Sequence, residues 1–316
     1  MLKSKTLFII GAGASKAYGF PLGKELYESI HNGDYIKLYT EFLQNTDCAK
    51  GEKIGYLNTA NQLVNIVKSS KYSSIDSLIT HIPIFKQQAK EAIALLLLKK
   101  EMESRSAFFQ IADENDWIKY LVHTCKDNIL KSCVIESDIS FITFNYERSL
   151  EYFLSKALSK YTSYKTSHFI NNNVSIRHVY GNIGRLEWQI ATPVGELKYG
   201  WDYRNCLLSE IQNAIKLMGP ERFVDNNEKD NYYQKEIIRA EKIYFLGFSY
   251  DKINLKKLGF DEALEDSKIK EKKIYGTAIG MDEDRIRELK KRWGENHEVE
   301  LRNDLGCKQL LCEYLK

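Results

Sequence analysis

Leu7-Phe8-Ile9-Ile10-Gly11-Ala12-Gly13-Ala14-Ser15-Lys16, continued by Ala17-Tyr18-Gly19-Phe20-Pro21-Leu22-Gly23, is the stretch on which the fold turns. A short apolar, β-branched run that stops in small residues and then becomes amphipathic reads as a buried first strand, a tight turn and the start of a helix. Such a turn can cradle a phosphate. Gly11 and Gly13 allow a close backbone approach, and the unpaired N–H groups at the helix start, with the positive end of its dipole, suit an anion. A plain strand-to-helix turn is the competing reading of the two glycines.

A dehydrogenase-type turn places a third glycine at position 16 and an acidic residue about 20 residues further on, after a second strand. Position 16 is Lys16, and helical periodicity (Leu22, Leu26, Ile30) follows Pro21 directly. The ordinary dinucleotide-binding arrangement is therefore disfavoured. Helical patterns recur at 35–43, 56–67, 84–102 and 117–130, with no strand expected before about residue 139. Residues 22–135 are accordingly expected to form a helical insertion subdomain beside the nucleotide site. Within it, Ser74-Ile75-Asp76 marks a helix start, with Ser74 or Asp76 as N-cap, or with Asp76 turned into the cleft.

Strands and helices then alternate. Strands are expected at 139–144, 175–180, 242–246, 272–278 and 298–301, and helices at 147–160, 205–218, 254–264 and 282–293, with a final helix ending at Leu315. The polar segment 221–231 is expected to be a loop. This alternation builds a parallel sheet covered on both faces. The expected fold is α/β, a doubly wound, mainly parallel Rossmann-like sheet with the helical insertion, in a single domain over 1–316 whose core resumes at 139–316.

Composition narrows the function. With 46 basic against 43 acidic side chains, the balance of +3 gives no electrostatic footprint for nucleic acid or a membrane surface. The six cysteines, at 48, 125, 133, 206, 307 and 312, include no Cys-x-x-Cys pair, so no zinc module is expected, and scattered thiols suit a reducing cytoplasm. The longest apolar run, 92–98, is far short of the ~20 residues that span a bilayer.

Ligands of open α/β sheets bind beyond the carboxyl ends of the strands. Those ends carry Gly11-Ala12-Gly13-Ala14-Ser15, then Thr143-Phe144-Asn145-Tyr146-Glu147, then His178-Val179-Tyr180-Gly181, then Gly247-Phe248-Ser249. Asn145 can donate and accept without introducing charge, so it can fix a ribose hydroxyl or a water, or it can cap the helix beginning near Glu147. His178, two residues before Tyr180 on one strand face, is either a general base or a core histidine. Gly247-Phe248-Ser249 is either a ribose contact or an ordinary turn. Together the four ends describe a dinucleotide site.

The glycine turn followed by Gly19-Phe20-Pro21, together with Thr143-Phe144-Asn145-Tyr146 and Gly247-Phe248-Ser249, resembles the motifs of the sirtuin-like NAD-binding family. The resemblance implies that Gly11 to Ser15, Phe20 and Pro21 wrap NAD, with Asp76, Thr143, Tyr180, Gly181, Gly247 and Ser249 around it. It implies that Asn145 holds the nicotinamide ribose and the attacking water. The family's His-Gly is here Tyr180-Gly181, which leaves His178 as the candidate base. Without a zinc module, the chain resembles the bacterial branch that hydrolyses NAD to nicotinamide and ADP-ribose in anti-phage defence by NAD depletion, rather than the protein deacylases. That branch implies NAD as substrate without a metal. It also implies control by self-association into a homo-oligomer or by a regulatory partner, such as a ring-shaped ATPase or another phage-sensing protein, and nucleic acid involved only indirectly. A non-catalytic sensor of NAD or ADP-ribose is the alternative, favoured by Tyr180.

Overall fold

The computed structural model describes residues 4–46, 48–72, 75–107, 113–131, 139–161, 174–189, 197–218, 229–265 and 270–315. Six strands, β1 (Thr6–Ile10), β2 (Ile139–Thr143), β3 (Ser175–His178), β4 (Lys242–Leu246), β5 (Lys273–Thr277) and β6 (Glu298–Arg302), make one sheet. Every pairing is parallel, in the order β3-β2-β1-β4-β5-β6. From β1 the chain moves outward through β2 to β3, then returns to β4 on the other side of β1. The crevice beyond the ends of β1 and β4 is thus the topological switch point, where sheets of this kind bind ligands. The dinucleotide-binding order that the helical run after Pro21 had disfavoured is the order the sheet adopts. Its second strand is not missing but begins only at Ile139.

The strands read as continuous apolar runs because both faces are covered. Along β1, Phe8 and Ile10 enter one core, while Leu7 and Ile9 enter the other. On the first face Phe8 lies between Phe141 and Tyr244, with ring centroids 5.2 Å away on each side. That face is packed by α1 (Gly23–His31), α2 (Asp34–Gln44), α3 (Lys50–Ser69), α4 (Ile75–His81), α5 (Lys86–Ala107) and α6 (Trp117–Lys131), all between β1 and β2. It also receives α7 (Ser149–Leu158), α8 (Leu208–Leu217) and, at the end of the chain, α13 (Cys307–Tyr314). The opposite face holds α9 (Lys229–Arg239), α10 (Lys252–Leu258), α11 (Phe260–Leu264) and α12 (Glu283–Trp293).

Two expected elements differ. The single helix expected over 254–264 is broken into α10 and α11 at Gly259, which takes φ +60°. The segment 221–231 is not all loop, since α9 begins at Lys229, and 221–228 lie outside the described residues. No helix of the described residues is long and apolar enough to cross a membrane.

Candidate active site

The glycine turn is stitched to the end of β4. Gly11 N–H donates to the Leu246 carbonyl at 2.9 Å and Gly13 N–H to the Gly247 carbonyl at 3.0 Å, while Ala14 N–H returns to the Gly11 carbonyl at 3.0 Å. A Cβ on Gly11 would stand 2.5 Å from the Gly247 oxygen, and one on Gly247, at φ +59°, would stand 1.9 Å from the Ala14 nitrogen. These glycines are therefore required by the contact between two loops, whatever lies above them. The expectation that the N–H groups of the turn are unpaired needs correction: three are occupied within the protein, and the segment that follows, Ala12–Tyr18, is a 3-10 helix rather than an α-helix. Trp117 Nε1 donates to the Ala14 carbonyl at 2.8 Å and the Tyr18 hydroxyl to Asp116 at 2.9 Å, which pins this turn to α6.

Above the turn lies a cleft of about 890 Å³, within the range of sites for small molecules. Its walls include the whole turn from Gly11 to Ser15, then Phe20 and Pro21, and across from them Asn145, Tyr180, Gly247 and Ser249. Ile75, Ile93 and Leu97 bring in α4 and α5, so the helices between β1 and β2 form one side. Thr143 and Gly181 do not line the cleft. Thr143 instead accepts the Asn145 N–H on its Oγ1 at 3.1 Å, and Gly181 occupies the turn after β3 at φ +73°. Asp76 falls within α4, and its side chain lies outside the described residues.

The floor is a polar cluster. Asn145 does not cap α7, which begins at Ser149. Its Nδ2 donates instead to Ser15 Oγ at 3.0 Å, Glu147 Oε1 at 3.1 Å and the Gly11 carbonyl at 3.3 Å. Ser15 Oγ in turn donates to Glu147 Oε1 at 2.5 Å, and the Ser149 N–H donates to Glu147 Oε2 at 2.5 Å. Among the described residues Asn145 Oδ1 has no hydrogen-bond partner. Glu147 accepts three bonds out of about four acceptor positions, so capacity for a further proton donor remains. It is the only carboxylate among the described residues of the cleft wall, against Lys16, Lys24 and Lys308. Lys16 and Lys24 are ion-paired with Glu25 and Glu28, and the Lys308 ammonium donates to the Asp113 carbonyl, so all three are engaged by the protein's own groups.

His178 is not in this cluster, and the expectation that it reaches the cleft as a base is corrected. Its Nδ1 lies 2.7 Å from the Asn145 backbone carbonyl and its Nε2 lies 2.7 Å from Glu151 Oε1, and the side chain is buried. Desolvation alone would push its pKa down, but the charge and hydrogen bond of Glu151, with the Asn145 carbonyl, raise it to about 9. It is an imidazolium at neutral pH, with both N–H groups donating. The residue that does reach the cleft is Tyr180, whose hydroxyl donates to Asn254 Oδ1 at 2.6 Å, beneath the Lys257 ammonium 4.0 Å from the ring centroid. Phe144 packs edge-on to Tyr180 at 5.8 Å and tilted on Phe248 at 5.0 Å, giving an aromatic side wall.

Glu147 is the member that reading the sequence missed. It stands two residues after Asn145 in Thr143-Phe144-Asn145-Tyr146-Glu147, where the local pattern makes it the first residue of a helix that in fact begins at Ser149. Burial pushes the Cys307 thiol on the cleft wall up to about 12, so it is no thiolate nucleophile at neutral pH. Among the described residues no group of three His, Cys, Asp or Glu side chains is placed to hold a metal ion.

Fold and cleft together define the class, a doubly wound α/β protein with a preformed crevice at its topological switch point. Neither protein-family models nor curated proteins give a match to the chain.

Proposed function

We propose that the chain is an NAD glycohydrolase, cleaving NAD to nicotinamide and ADP-ribose. The observation that carries this reading is the meeting of Ser15, Asn145 and Glu147 on the floor of the switch-point cleft. The pyrophosphate lies along the glycine turn, where Gly11 and Gly13 allow a close approach, and the nicotinamide ribose lies over Asn145 and Glu147. As the bond from C1′ to nicotinamide breaks, its electron pair leaves with nicotinamide, and the Glu147 carboxylate faces the positive charge that grows on the ribose. Water bound to Asn145 Oδ1 attacks C1′ and passes its proton to Glu147, which returns it to solvent. His178, protonated and enclosed, takes no proton in this scheme.

Unrestrained, such an activity would exhaust the NAD of its host. A defence effector held silent until a partner or self-association releases it is the biological role that fits, as the sirtuin-like resemblance implies.

The test is chromatographic, following nicotinamide and ADP-ribose with purified protein and NAD. Release by wild type, reduced about 10²–10⁴-fold in Glu147→Gln and Asn145→Ala with NAD-dependent thermal stabilisation retained, is the expected result. A second reading, a non-catalytic sensor of NAD or ADP-ribose, is favoured by Tyr180 standing on the cleft wall where the resemblance places a histidine. Stabilisation by NAD with no release of nicotinamide, even with assembly partners present, would favour the sensor. Absence of both binding and release would reject the dinucleotide site.

A further inference from the structure

Asn145 lies in the loop between β2 and α7, with neither strand nor helix to hold its backbone. Its N–H is tied to Thr143 Oγ1, and its carbonyl is the acceptor for His178 Nδ1. His178 ends β3 in register with Thr143 of β2, and its other nitrogen reaches Glu151 of α7. One imidazole at the end of β3 therefore joins the loop after β2 to α7, at the residue that forms the cleft floor. The charged groups facing it are Glu151 from α7 and Glu147 from the loop, while β2 presents the uncharged Thr143. Arg148, also charged, is turned to Glu101 of α5. Among the described residues Glu151 Oε2 is buried without a hydrogen-bond partner, a costly arrangement that a packed apolar pair would avoid.

We propose that the buried His178–Glu151 pair is a positioning device that fixes the Asn145 backbone and so aims its side-chain amide at Ser15 and Glu147, without touching the reacting atoms. Its consequence for turnover rests on the glycohydrolase reading, whereas its effect on Asn145 does not. Protonated, His178 donates to both partners. Once it loses its proton, a lone pair faces either the Asn145 carbonyl or the Glu151 carboxylate, and the tether to Asn145 loosens or the pair separates.

The experiment follows the His178 ring nitrogens and the Asn145 side-chain amide by NMR across alkaline pH in wild type, Glu151→Gln and His178→Gln, alongside kcat and KM for NAD. In wild type the Asn145 amide signals should hold steady and then shift with the same midpoint as the His178 ring. In Glu151→Gln that shared midpoint should fall by about one pH unit or more, because the stabilising carboxylate is gone. The alkaline limb of kcat should move with it, with KM unchanged within about twofold, since the pair acts on transition-state geometry. His178→Gln, whose amide can still donate to the Asn145 carbonyl, should recover about tenfold or more of the kcat lost in His178→Ala and flatten that limb. An Asn145 amide indifferent to the titration of His178 would overturn the proposal, as would a kcat profile of Glu151→Gln superimposable on wild type. If wild type releases no nicotinamide while the Asn145 amide still follows His178, the glycohydrolase reading falls and the positioning role stands.

Discussion

The turn that follows β3 decides whether His178 or Tyr180 reaches the cleft. Within a strand, residues two apart share a face, and on that rule His178 and Tyr180 were interchangeable. β3 stops at His178, however, and the chain turns at once, with Gly181 N–H donating to the His178 carbonyl at 3.2 Å. The rule no longer applies past that point, so His178 goes under the loop and Tyr180 goes to the cleft. Glu147 is equally hidden, because its distinguishing feature is Ser15, which approaches it from the end of the neighbouring strand, 132 residues earlier in the chain. Glycine chemistry was legible but for an incomplete reason. Gly247→Ala should destabilise the protein by more than about 1 kcal/mol and lower its melting temperature, because φ +59° and the 1.9 Å approach to Ala14 both oppose a Cβ. A variant with unchanged melting temperature would show that the two loops can separate freely.

Among the elements, α5 and the loop after β2 depend on one another through a fully enclosed ion pair. Arg148 Nε and Nη2 reach the two Glu101 oxygens at 3.0 and 2.5 Å, both side chains having no exposure, and Nη1 donates to the Leu197 carbonyl at 2.7 Å. Burial pushes the Glu101 carboxyl up, and the neighbouring Arg148 charge opposes it. Removing one partner strands the other. Glu101→Ala should cost about 3–5 kcal/mol, read as a lower urea midpoint at unchanged slope, while replacing both by apolar residues of similar volume should recover most of it. Equal losses in the single and double variants would mean that packing, not the stranded charge, sets the cost. Nothing in the local pattern of either segment announces this pair, since Glu101 reads as one more polar residue on a long helix. The helix breaks tell a similar story on a smaller scale: Gly259 sits inside an apolar period that continues on both sides of it.

At the scale of the whole molecule, buried ionisable groups give the stability a definite dependence on pH. His178 holds its proton to about 9 in the fold, against 6.5 for an ordinary imidazole, so between these values the native state binds a proton that the unfolded chain has released. Stability from this pair is complete below pH 6.5 and is lost as the pH rises through 9, with a slope of at most about 1.4 kcal/mol per pH unit. Lys272 acts in the opposite sense. Desolvation lowers its ammonium to about 8, so above that value the native state gives up a proton the unfolded chain still holds, and stability rises. Urea unfolding across pH should therefore show a fall from about 6.5 to 8, a flat stretch to about 9 and a rise above it, and the fall should vanish in His178→Gln. A slope retained in that variant would place the linked proton elsewhere.

What the sequence by itself determined is what depends on neighbours along the chain. The apolar runs became the six strands, the helical periods after Pro21 became α1 to α6, and Gly11 to Ser15, Asn145, Tyr180 and Gly247 to Ser249 at the strand ends became part of the cleft wall, because periodicity and turn chemistry act over a few residues. Only the tertiary structure decided the strand order, which needs β2 to reach β1 across the whole run of intervening helices. It alone joined Ser15 to Glu147, buried His178 between Asn145 and Glu151, and closed Arg148 onto Glu101. Each is a contact between residues far apart in the chain, formed only when packing of the sheet faces brings them together, so no local pattern carries its signature.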